Sequence, residues 1–194
     1  MAASPKDRTG LWERQSLLIE TNLTWLRQAL TLLQQIDDRT YAESPPAVAP
    51  HRVGGHLRHI LEFYECFLEG IQSSHIDYDA RKRDESIETC RAAALARIRS
   101  IIHQLKTSPL LRGDPIIRVR REDSQARDAG DCCLVSSAGR ELQVLSSHTI
   151  HHFALIAMTL RVIGFQVDRD FGMAPSTLRY LTSKQAMEAP AEAA

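Results

Sequence analysis

The sequence predicts an all-α protein, a four-helix bundle with a small β-hairpin inserted before the last helix. Four segments repeat apolar residues every three or four positions, and stretches rich in proline or polar residues separate them. Between Pro109 and Gly139 the period shortens to that of strands. With 194 residues, 43% apolar content and 24 basic against 24 acidic side chains, the chain is an ordinary single domain that can bury a core without disulfides.

Helix one runs from Leu11 to Ile36, where Leu11, Leu18, Trp25 or Leu26, Ala29, Leu33 and Ile36 form one apolar face. The stretch "DDRTYAESPPAVAP" ends it, because Pro45, Pro46 and Pro50 exclude helical hydrogen bonding. Helix two spans Val53 to Ile71, with Val53, Leu57, Ile60, Tyr64, Phe67, Leu68 and Ile71 on its apolar side. The polar link "SSHIDYDARKRD" leads to helix three, Glu85 to Leu105, striped by Ile87, Cys90, Ala94, Ile98, Ile101 and Leu105. "PIIRVRRE" and "DCCLVSS", separated by "DSQARDAG", predict the two-stranded hairpin. Helix four runs from Arg140 to Ile163 and stops at Gly164. Apolar on most of its circumference, it is expected to be the most buried helix. After it, Phe171, Leu178 and Tyr180 are expected to pack back on the body, so residues 1–182 make one domain, and residues 183–194 a disordered tail.

The balanced charge lacks the electrostatic footprint of a nucleic-acid binder, and the basic run at Arg118, Arg120 and Arg121 reads as the solvated face of a strand. Cys66, Cys90, Cys132 and Cys133 have neither CxxC spacing nor the density of a secreted framework, which points to a reducing cytoplasm. No segment has the apolar length of a signal peptide or a membrane span, so a soluble protein with no membrane partner is expected. Leu23, Leu30 and Leu32, together with helix four's apolar circumference, exceed what one four-helix core needs and suggest a homodimer.

The chemistry lies in the histidines. In "SSHTIHHFALIAM", His148 and His152 stand one turn apart on the same face of helix four, whereas His151 points aside. Two neutral imidazoles so placed can chelate one metal ion. Taken alone, the pair reads better as two histidines at the core edge. A second source of imidazole changes the balance: "VGGHLRHILEF" puts His56 and His59 in the first turns of helix two, on one flank of its stripe. On a helical wheel His56 lies nearer the stripe's centre, and either could face helix four. One of them would complete a three-histidine site with open coordination positions, the arrangement of catalytic rather than structural zinc. The same donors suit nickel, iron or manganese. HExxH and the Glu-x-x-His pairs of di-iron bundles are both missing.

A glycine-led histidine early in helix two, followed by H-x-x-H-H in the last helix, resembles the DinB/YfiT-like metalloenzyme family over about Leu11 to Gly164. The resemblance implies an up-down-down-up bundle. It places the helix-two ligand five residues beyond the glycine, hence His59 after Gly54, and the other two ligands at His148 and His152. Many members continue the last motif with Arg-Gly-Gln, where this chain has Phe153, Ala154 and Leu155. Several relatives are S-transferases or isomerases that use bacillithiol, mycothiol or glutathione; others are called hydrolases. The resemblance therefore implies a divalent metal, zinc or nickel foremost, with a low-molecular-weight thiol as cosubstrate and a small-molecule substrate. A metal-dependent hydrolase and a non-enzymatic metal- or ligand-binding bundle are the alternatives. His56, His151, Glu62, Tyr64 and the loop residues Asp77, Tyr78, Asp79 and Arg81 stand as neighbours of the site with no catalytic role assigned.

Overall fold

The computed structural model describes the backbone of residues 5–120 and 133–188 and the side chains of residues 13–120 and 133–184. Seven helices occur among the described residues: α1 (Pro5–Gln35), α2 (Asp38–Ala42), α3 (Val53–Ser73), α4 (Glu85–Thr89), α5 (Arg91–Thr107), α6 (Ala138–Val162) and α7 (Pro175–Glu188). The chain is thus mostly α-helical, with one small sheet. Of the four long helices before α7, α1 and α3 each pack against both α5 and α6. Their shared core holds Leu23, Leu26, Leu33, Leu57, Ile60, Tyr64, Ile98, Leu142 and Ile156. These are largely the residues the apolar period selects. Leu11, on the predicted face of helix one, lies outside the residues whose side chains are described.

Polar groups within this core are paired, as burial demands. The Tyr64 hydroxyl donates to Asn22 Oδ1 at 2.7 Å, and Asn22 Nδ2 donates to the Leu142 carbonyl at 3.0 Å. Trp25 Nε1 donates to Ser146 Oγ at 2.8 Å. These bonds tie α1 to α3 and α6 and fix the face that α6 turns inward.

The region expected as one helix three is two. Cys90 takes extended backbone angles, φ −119° and ψ 106°, between α4 and α5. The physical reason is a partner from outside the helix: the buried Tyr41 hydroxyl donates to the Ile87 carbonyl, which an unbroken helix would reserve for the Arg91 N–H. Asp84 caps the short α4 by accepting from Ser86 N at 3.0 Å.

The expected hairpin is present as β2 (Ile116–Arg120) and β3 (Cys133–Ser137), antiparallel, with Ile116 opposite Ser137 and Arg120 opposite Cys133. Its loop, residues 121–132, which includes Arg121 and Cys132, lies outside the described residues. The sheet has a third strand that the polar reading of the link hid. β1 (His75–Ile76) pairs parallel to β2, placing His75 beside Arg118 and burying Ile76 completely. β3 runs straight into α6, whose first turn is capped by Ser137 and by Asp114, which accepts from Gly139 N at 2.7 Å.

Three further expectations change. Helix α3, not α6, is the most continuously buried, because α6 turns Met158 and Val162 outward near its end, and Ile163 just beyond it is also exposed. Leu23 and Leu32 belong to the core and Leu30 packs against it, so these three are no apolar surplus; the exposed large apolar residue among the described side chains of α1 is Leu17. In the C-terminal segment Phe171 packs back, its ring stacked on Phe153 at 4.5 Å, and Leu178 is half-buried, but Tyr180 is 64% exposed. The backbone of residues 183–188 continues α7, and the rest of the expected tail, 189–194, lies outside the described residues. No helix of the described residues is long and apolar enough to cross a membrane.

Candidate metal centre

The first turns of α3 face the middle of α6, and the histidines meet there. His59, His148 and His152 each offer one ring nitrogen, and these three atoms lie within 4.8 Å of one another. The ring centroids are 4.9 Å apart for His59 and His148, 4.7 Å for His59 and His152, and 4.6 Å for His148 and His152. The structure therefore brings together the three histidines that the family spacing selects. His56 is adjacent rather than convergent, with Nδ1 3.0 Å from Nδ1 of His152. His151 is exposed, its ring edge-on to His152 at 5.2 Å.

Burial and mutual proximity keep these rings neutral. Removal from water, aided by neighbouring cationic or imidazole groups, lowers the pKa of His56, His59 and His148 to about 4 and of His152 to about 3. At neutral pH all four rings thus hold lone pairs rather than positive charge. His148 Nε2 is buried and has no hydrogen-bond partner, and the same is true of His56 Nε2.

One wall of the site is aromatic. Phe63, one turn beyond His59 on α3, stacks under His148 at 4.1 Å and on Tyr78 at 4.9 Å, and the Arg81 guanidinium lies 4.7 Å from the Phe63 ring centre. Tyr78 donates to the buried Glu141 at 2.8 Å, and Glu141 also accepts from Ser136 Oγ at 2.5 Å. This chain of contacts runs from the sheet through α6 to the ring beneath His148, so the small insertion steadies the site. The i,i+4 spacing of His59 and Phe63 is legible on a helical wheel.

On the other side an open cleft of about 370 Å³ reaches His59 and His152, lined also by His51, Arg52, His56 and Arg58. Glu88 closes its wall, accepting from Arg58 Nε at 2.7 Å and pairing with Arg52 at 3.1 Å. Arg58 also binds the fully buried Glu62 at 3.0 Å. Sequence reading missed His51, which stacks on His56 at 5.3 Å with the rings 4° from parallel, and Glu88. Neither carries a motif, since a loop and a separate short helix deliver them.

Gly54, the glycine that leads the motif, has a steric reason. A Cβ there would sit 2.0 Å from the Glu88 carbonyl oxygen and 3.0 Å from Tyr41, so only glycine lets α4 cross the first turn of α3 this closely. That crossing delivers Glu88 to the cleft.

The other neighbours are committed elsewhere. Tyr64 is buried against Asn22, and Glu62 accepts from Arg58 and from Asp84 N. Asp77 pairs with Arg120 at 2.9 Å. Burial pushes the Cys66 thiol up to about 11, and Cys133 Sγ lies 3.4 Å from His75 on the sheet. A second cavity, about 390 Å³, lies between α1 and residues Val167–Phe171 and contains none of the histidines.

No family model matches the sequence. A stretch of 107 residues, 55% of this chain, is 36% identical to FK506-binding protein 5 of Rhizopus delemar and makes up 27% of that protein. The chain thus spans little more than a quarter of that relative's length, and the likeness does not place it in a family.

Proposed function

We propose that this protein is a DinB-like four-helix bundle of up-down-down-up connectivity in which His59, His148 and His152 hold one divalent metal, zinc or nickel foremost. We propose further that it transfers a low-molecular-weight thiol to or from a small electrophilic substrate. The observation that carries the reading is the convergence of three imidazole nitrogens within 4.8 Å, beside an open cleft that reaches His59 and His152. The packing of α1 and α3 on both α5 and α6 supports the bundle.

The donor set fits a metal. Three neutral rings present lone pairs to one point, and His148 Nε2, buried without a protein partner, needs a ligand to recover what its burial costs. With no carboxylate among the three, a bound ion would keep its full positive charge and favour an anionic further ligand, lowering the pKa of a thiol or water there. The protein's own contributions are positional. Phe63 supports the His148 ring, while Arg58, held between Glu62 and Glu88, fixes the cleft wall beside His59.

Cobalt substitution tests the reading. Titration of the cobalt protein with bacillithiol, mycothiol and glutathione should give a sulfur-to-metal charge-transfer band with one of them, absent in His148→Ala. If wild type takes up no cobalt, zinc, nickel, iron or manganese, the metal reading fails. If it binds metal without any thiol band but cleaves esters or amides, the hydrolase alternative replaces thiol transfer.

A further inference from the structure

The contact between His56 and His152 constrains where protons sit. A neutral imidazole carries one proton on one of its two ring nitrogens. The two Nδ1 atoms lie 3.0 Å apart, so one of them must carry the proton and the other accept it. If His56 donates, the proton of His152 lies on Nε2 and that nitrogen cannot bind a metal. If His152 donates, its Nε2 is a bare lone pair.

We infer that His56 is a positioning residue: it accepts the Nδ1–H of His152 and so holds His152 in the tautomer whose Nε2 binds the metal. This rests on the proposed three-histidine site. The geometry supports it in three ways. His56 is only 9% exposed, so water does not compete effectively for the contact. It sits on α3 three residues before His59, so one rigid helix carries a metal-binding residue and its neighbour's support together. His51 stacks flat on its ring at 5.3 Å and limits its rotation. His56 Nε2 is unpartnered in either tautomer and does not choose between them. What chooses is that His56 occupies Nδ1 of His152, which leaves Nε2 as the nitrogen of that ring that can bind a metal. Metal-binding histidines commonly donate their other N–H to a carboxylate or carbonyl. Here the acceptor is a neutral ring, which orients His152 without adding negative charge to the site.

Two variants and one spectroscopic measurement test this. His56→Phe keeps a ring in the space but removes the acceptor, whereas His56→Asn restores an amide oxygen near the position of Nδ1. Cobalt affinity, read by competition with a chromophoric chelator, should fall about 10- to 100-fold in His56→Phe and recover to within about threefold of wild type in His56→Asn, with unchanged far-ultraviolet circular dichroism. Equal affinity in wild type and His56→Phe, or no recovery in His56→Asn, would overturn the inference while leaving the three-histidine site standing. Long-range ¹H–¹⁵N NMR of the metal-free protein decides the point even if no metal binds. Nδ1–H on His152 is expected in wild type and its loss in His56→Phe; Nε2–H in wild type refutes the assignment.

Discussion

Two adjacent glycines at the start of α3 should respond to alanine with opposite signs. Each substitution gains helix propensity and reduces the freedom of the unfolded chain, together about 0.5–1 kcal/mol. At Gly55 nothing opposes this: a new Cβ would meet Arg52 Cγ at 3.4 Å and Glu88 Oε1 at 3.7 Å, ordinary contacts with the flexible parts of long side chains. At Gly54 the Cβ would lie 2.0 Å from the Glu88 carbonyl oxygen and 2.9 Å from its carbon. A backbone carbonyl cannot rotate out of the way, so α4 must move by on the order of 1 Å, and such overpacking costs about 1–3 kcal/mol. It also strains the bond from Tyr41 to the Ile87 carbonyl next to Glu88. Gly54→Ala should therefore destabilise by about 1–2 kcal/mol, whereas Gly55→Ala stabilises by about 0.5 kcal/mol. Urea unfolding followed by circular dichroism measures both. A second readout follows from Glu88, which carries Arg58 and Arg52: displacing α4 should weaken metal uptake in Gly54→Ala and leave it intact in Gly55→Ala. If the two variants shift stability in the same direction, the close crossing of α4 over α3 is wrong.

Three other outcomes are expected. In the metal-free protein the four depressed histidine pKa values lie below the ordinary value near 6.5, so the unfolded chain binds more protons in that interval. The stability these rings contribute should be complete above about pH 6.5 and fall as the pH drops toward 4; after discounting for solvent screening, the slope should be on the order of 1 kcal/mol per pH unit. Flat stability between pH 6.5 and 5 would contradict the burial of these rings. His148→Leu should raise the stability of the metal-free protein by about 1 kcal/mol, because it removes a buried unpartnered nitrogen, and should lose the extra stability that zinc gives wild type. If it lowers stability with and without zinc, His148 is a structural residue. Association as a homodimer rests on exposed apolar residues, Leu17 on α1 and Met158, Val162 and Ile163 at the end of α6, and light scattering should show a dimer that Met158→Glu weakens; a monomeric mass across a concentration series ends the idea.

The helical periods were legible because each long helix buries one face, and burial selects residues at a spacing of three and four. The break at Cys90 was not, since its cause is Tyr41, about fifty positions earlier in the chain. Strand β1 was hidden for a similar reason: two residues show no period, and His75 and Ile76 become a strand only because β2 offers its edge. For the site, the i,i+4 relation of His148 and His152 was readable from one helix. The choice between His56 and His59 was not, because it depends on how α3 is rotated against α6. The wheel correctly made His56 the more buried of the two, and the family spacing selected the ring that converges.

That difference bears on whether the histidines merely fill space. Histidines that pack a core normally spend both ring nitrogens on backbone or water, because an unpaired buried nitrogen costs about 1–3 kcal/mol. Here His148 stacks well on Phe63, yet its Nε2 is sealed off with no protein partner, and packing alone would be served as well by leucine. The nearby charges do not supply the missing partner. Glu62 and Glu88 are both engaged by Arg58, and Arg81 lies over Phe63, so neither carboxylate is free to accept an imidazole N–H and stabilise an imidazolium. The arrangement keeps several rings neutral and close together, which costs stability in the empty protein. A cation that accepts three nitrogen lone pairs would recover that cost, and the preference for such a cation is why we favour a metal over a purely structural cluster.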